Sequence, residues 1–136
     1  MNIFQTKSSK LHGTNYKEIV KHAKAEFAIV EHKSKRKPYI RSAYFNKQKV
    51  FFDFFWMHLF QKREPERVRR LKYFAASLEL IGKSRNHPES MQNPNKASEI
   101  LHRFAGYTKE KELFYVQIKE HKRTKRLQLM SVFPAK

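Results

Sequence analysis

Cations outnumber carboxylates heavily in this chain: its 136 residues hold 30 Lys+Arg, 12 Asp+Glu and 7 His, for a formal net charge of +18. Metal-assisted phosphoryl chemistry needs clustered carboxylates, and a single aspartate, Asp53, with glutamates scattered among lysines does not supply them. The histidines at 12, 22, 32, 58, 87, 102 and 121 lack the HxxxH spacing of a helix-borne zinc site. With no cysteine there is no thiolate ligand, thiol nucleophile or disulfide framework. Gly13, Gly82 and Gly106 stand alone, so no glycine-rich phosphate loop is present. What His, Tyr, Lys, Arg and Ser can do together is proton transfer at a ribose phosphate, where a 2′-hydroxyl attacks its own phosphorus. That step needs a base, an acid for the leaving oxygen and cations around the phosphoryl oxygens. No metal and no cofactor is called for.

The candidates for that chemistry are His102 as acid or base, Arg103, Lys119 and Arg41 as phosphate-stabilising cations, and Ser131 as a hydroxyl contact. Each has a plainer reading. His102 alternates with Ile100 and Phe104, which suits a hydrogen-bonded core histidine equally well. Arg103 and Lys119 also suit a solvated sheet face, and Ser131 a strand-end hydroxyl bonded to backbone. A second set suits phosphate-backbone contact: the run Lys33, Lys35, Arg36 and Lys37 with Tyr39 behind it, then Tyr44, and Arg67 and Arg70 farther on. Glu64 and Glu66 lie close enough in sequence to neutralise part of that last pair.

The elements that must position these residues read as one α+β domain over residues 1–136, with helices packed on one antiparallel sheet and residues 1–13 as a peripheral arm. Apolar residues at three- and four-residue steps predict an amphipathic helix from Tyr16 to His32. A basic loop follows, then a strand, a turn at Asn46 to Gln48 and a short return strand from Lys49. The aromatic block Val50 to Phe60 turns helical near Asp53, and its density marks it as core rather than a base-stacking surface. A further helix opens near Pro65 and runs past Leu78, and Ser84 to Ala97 form an irregular connection. The chain closes on a three-stranded meander, Glu99 to Thr108, Glu112 to Glu120 and Arg126 to Phe133. No signal peptide or spanning segment is read, which predicts a cytoplasmic protein with no membrane partner.

The segment from Ser98 to Pro134 resembles the closing strands of the phage- and mobile-element-borne nucleases grouped with barnase, EndoU, colicin-type and RelE-like ribonucleases. A histidine-bearing strand at His102, a hairpin into Phe114 to Lys119, and a final strand ending Ser131-Val132-Phe133 carry the resemblance. It implies helices against a four- or five-stranded antiparallel sheet and metal-free RNA cleavage. It also implies a toxin or mobile-element effector, cutting mRNA or tRNA with or without the ribosome and held by an acidic antitoxin or immunity protein. The other reading of the same surface is a nonenzymatic RNA- or DNA-binding module. An anionic-membrane binder is disfavoured by Glu18, Glu26 and Glu31 on the first helix.

Overall fold

The computed structural model describes residues 2–135. Helix α1 (Tyr16–Lys33) starts where Asn15 Oδ1 accepts the Glu18 backbone N–H at 3.0 Å and its Nδ2 reaches Glu18 Oε1 at 3.2 Å. It stops at Ser34, whose hydroxyl donates to the Val30 carbonyl at 2.7 Å. Ile19, Ala23 and Val30 are its buried stripe.

After β2 (Tyr39–Arg41) and β3 (Lys49–Phe51) come three short helices, α2 (Asp53–Phe60), α3 (Glu64–Leu71) and α4 (Phe74–Lys83). The single helix expected beyond Pro65 is thus broken at Lys72 and Tyr73. There the Lys72 carbonyl accepts the Leu11 N–H at 2.8 Å, tying the N-terminal segment to the break. Of the aromatic block, Val50, Phe52, Phe55 and Leu59 are core, with Phe55 stacked on Phe74 of α4 at 5.5 Å, whereas Met57 and Phe60 are exposed.

The remaining strands are β1 (Ile3–Gln5), β4 (Glu89–Gln92), β5 (Glu99–Tyr107), β6 (Leu113–His121) and β7 (Leu127–Pro134). They join β2 and β3 in one sheet of order β1-β5-β6-β7-β3-β2, with β4 also on β5. The fold is therefore α+β, four helices against a curled sheet. That sheet is mixed, not antiparallel throughout, because β1 runs parallel to β5 and β3 parallel to β7. Within the expected peripheral arm, Ile3–Gln5 form an edge strand that pairs with Ala105–Tyr107; Met1 lies outside the described residues. Strand β4 covers one end of β5's edge and β1 the other, so no long row of unpaired backbone groups is left there. The connection expected to be irregular thus contains β4, whose four residues are all exposed.

Alternation along β5, β6 and β7 sorts side chains onto two faces. Phe104, Val116, Ile118, Leu129 and Val132 join the helices in the core. Gly106 sits where the core is tightest, since a Cβ there would lie 2.7 Å from Leu80 Cδ1 and 2.8 Å from Phe114 Cζ. No described helix is long and apolar enough to cross a membrane.

Candidate nucleic-acid interface

The other face of β5, β6 and β7 carries the polar and cationic residues. Arg103 on β5 is opposite Gln117 on β6, which is opposite Ser131 on β7, so three of these side chains form a row across adjacent strands. One residue pair along, Tyr115 faces Phe133, their rings 5.6 Å apart. The Arg103 guanidinium lies 5.6 Å from the centroid of each ring, and Arg70 from α3 reaches Phe133 at 5.5 Å. Two guanidiniums thus share one aromatic platform. Arg103 is exposed and has no carboxylate partner among the described residues, whereas Arg70 Nε donates to Glu66 Oε1 at 2.9 Å.

Lys119 belongs to the same face but is engaged. Its Nζ is 3.2 Å from Glu99 Oε2 and 3.5 Å from the centroid of Phe54 on α2. Burial pushes the Glu99 carboxyl up, yet hydrogen bonds from Lys119 and Asn93 and the charges of Lys119 and Lys96 outweigh it and hold the group below its ordinary value. The ammonium is a fixed positive feature of the face, shared with a permanent anion.

Phe54 leads to His58, which the sequence reading left inside the aromatic block Val50 to Phe60. His58, one helical turn on, stacks on Phe54 at 5.4 Å with the rings 19° apart. His58, Lys62, Arg70, Met130 and Ser131 line a crevice between α2, α3 and β7 too narrow to admit water. Desolvation there, reinforced by the charges of Lys62, Arg70 and Lys119, lowers the His58 pKa, so its imidazole is neutral at pH 7. Desolvation and the Arg70 charge also lower the Lys62 pKa against the opposing pull of Glu66, so that ammonium releases its proton more readily than usual. A base-competent imidazole and an ammonium of raised acidity four residues apart, beside the Arg70 guanidinium, are the parts proton transfer at a phosphodiester requires. The four-residue step from Phe54 to His58 is the signal that puts those two on one face of α2, and Lys62 follows in the bend before α3.

The structure corrects the role given to His102. It lies on the core face, opposite Ile118, with its ring 5.1 Å from Phe45. Nε2 is 2.7 Å from Glu120 Oε1 and Nδ1 is 2.6 Å from Ser90 Oγ, so both ring nitrogens are occupied. Being adjacent in one strand, His102 and Arg103 point to opposite faces, and the imidazole cannot serve a phosphate held by Arg103. Arg41 is likewise separate: it stands on β2, at the far end of the strand order from β5, and lines a different cavity with Tyr44.

Of the remaining candidates, Lys33, Lys35, Arg36 and Lys37 are exposed at the end of α1 and in the loop beyond it, Lys37 at 3.8 Å from Asp53. Tyr39 packs under Lys49, Nζ 4.6 Å from the ring centroid, and under Arg41 at 5.5 Å. Arg67 is turned inward, its Nε donating to the Lys62 carbonyl at 2.8 Å and Nη2 to the Phe60 carbonyl at 2.7 Å. It acts as a clasp between α2 and α3, not as an open cation.

No protein-family model, curated protein or solved structure matches this chain.

Proposed function

We propose that the protein binds single-stranded RNA across the outer face of its closing three-stranded meander and cleaves it without a metal. The observation that carries this reading is the row of Arg103 and Gln117 beside the Tyr115 and Phe133 platform, with His58 and Lys62 at its border; Ser131 continues the row but is buried in the crevice wall. Aromatic rings flanked by guanidiniums suit unstacked bases and their phosphates, and a chain of net charge +18 gains affinity from counterion release. The RNA lies over the mouth of the His58 crevice, not inside it.

In this reading neutral His58 takes the proton from the 2′-hydroxyl as that oxygen bonds to phosphorus. Lys62 gives a proton to the departing 5′-oxygen as the P–O5′ bond breaks, leaving a 2′,3′-cyclic phosphate and a 5′-hydroxyl. Arg103 and Arg70 stabilise charge on the phosphoryl oxygens. A protein of this kind is a toxin or mobile-element effector, and an acidic partner laid on the same face would silence it.

A radiolabelled RNA incubated in EDTA with purified protein tests the reading. Cleavage with cyclic-phosphate ends, lost in His58→Ala and retained in His102→Gln, is the expected result. Salt-sensitive binding with intact RNA in every lane would leave only the binding module, which the Arg103 and aromatic platform favours on its own.

A further inference from the structure

A cleft on another part of the surface, away from that face, plays no part in the sheet-face reading. It has a volume of about 750 Å³ and opens between the loop at residues 42–48 and the segment at residues 82–87. Arg41, Lys47, Arg85, Tyr44 and His87 contribute to its wall, Gly82 leaves part of it without a side chain, and no carboxylate lines it. Arg70, Arg69, Lys119, Lys96, Lys10 and Lys37 all have acidic partners, whereas Arg41, Lys47 and Arg85 have none among the described residues.

Arg41 is held by built geometry. Asn46 and Lys47 are both left-handed, with φ of 54° and 64°, a conformation that side-chain-bearing residues rarely adopt in succession. The turn they form is closed by the Lys47 N–H on the Ser42 carbonyl at 2.7 Å. Lys47's own carbonyl accepts Arg41 Nη1 at 3.1 Å, which orients that guanidinium along the cleft. Across from them Tyr44 and His87 meet edge to face at 5.6 Å, with the phenol oxygen 3.4 Å from Nδ1. A hydroxyl and an imidazole therefore stand among three unpaired cations.

We propose that this cleft binds a terminal phosphate, a phosphomonoester carried on a nucleotide. A phosphodiester has one negative charge, whereas a phosphomonoester is close to dianionic at neutral pH and offers three acceptor oxygens. Three cations with two further hydrogen-bonding groups match the second better than the first. The volume is in the range of small-ligand pockets, enough for a nucleoside as well as its phosphate. A free nucleotide and the phosphorylated end of an RNA present the same group to it.

The test uses two tetranucleotides of one sequence, 2′-O-methylated so that they cannot be cleaved, one with a 5′-phosphate and one with a 5′-hydroxyl. Titrated calorimetrically against the full chain, the phosphorylated form is expected to bind about tenfold more tightly. Arg85→Ala, which removes an exposed side chain, and the Arg41→Ala/Arg85→Ala double variant abolish that preference. Arg103→Ala weakens both ligands alike and keeps the ratio, so failure here is separable from failure of the sheet-face reading. Displacement of the phosphorylated tetranucleotide by a nucleoside 5′-monophosphate identifies a free nucleotide as sufficient. Displacement only by a second phosphorylated oligonucleotide identifies an RNA end. Equal affinity for the two tetranucleotides, or a preference that survives both variants, overturns the proposal.

Discussion

Ser90 Oγ lies 2.6 Å from His102 Nδ1, and this contact ties the exposed strand β4 to the centre of the sheet. The other ring nitrogen, Nε2, is 2.7 Å from the Glu120 carboxylate, so the imidazole is held from both sides. The histidine that looked most chemical in the sequence is a clamp.

Replacing His102 by Ala removes both bonds and strands a partly buried carboxylate. A loss of about 1–3 kcal/mol in unfolding free energy is expected from urea denaturation. RNA affinity of the folded variant, measured by fluorescence anisotropy, stays at the wild-type value. A variant of unchanged stability that had lost RNA binding would return His102 to the site.

Arg103→Ala is expected to act the other way. The side chain is exposed and its contacts are the faces of Tyr115 and Phe133, so folding is spared. The slope of log affinity against log salt drops by about one, the signature of one phosphate contact. An unchanged slope would remove Arg103 from the interface.

The His58 pKa is lowered in the folded chain, chiefly by desolvation, so the unfolded chain binds the proton more tightly. Stability from this group is complete above the ordinary histidine range. It is lost as pH falls through that range toward the folded-state pKa. Thermal melts between pH 8 and pH 5 therefore show a decline that is shallower in His58→Gln. If His58 is the base, the acidic limb of the cleavage profile lies below that of free imidazole.

Gly106→Ala probes the packing of α4 on β5. Its methyl would meet Leu80 Cδ1 at 2.7 Å and Phe114 Cζ at 2.8 Å, inside van der Waals contact. Overpacking of this kind costs about 1–3 kcal/mol, readable as a lower Tm in calorimetry.

The α+β class and the core role of the aromatic block are legible in the letters, because period and composition are local properties. So is the two-faced character of β6, in which Phe114, Val116 and Ile118 alternate with Tyr115, Gln117 and Lys119. The same rule, applied to β5, separates His102 from Arg103; the attraction of an imidazole next to a guanidinium hid it. His58 was masked differently, as one polar residue inside an apolar run that is mostly buried. The parallel pairings of β1 and β3 leave no local trace, since their partners are brought up from the other end of the chain. Strand β4, Glu-Ser-Met-Gln and exposed throughout, carries no apolar alternation to announce it.

The parallel pairing of Ile3 with Ala105 has a consequence during synthesis. A nascent chain that has emerged only through α4 holds β1 and β3 with no strand to lie beside except β2, because β5 and β7 are still to be translated. The earliest segments wait for the latest ones, and loop closure over such separations is slow. Assembly of the outer face of β5, β6 and β7 is thereby deferred until β7 has been translated.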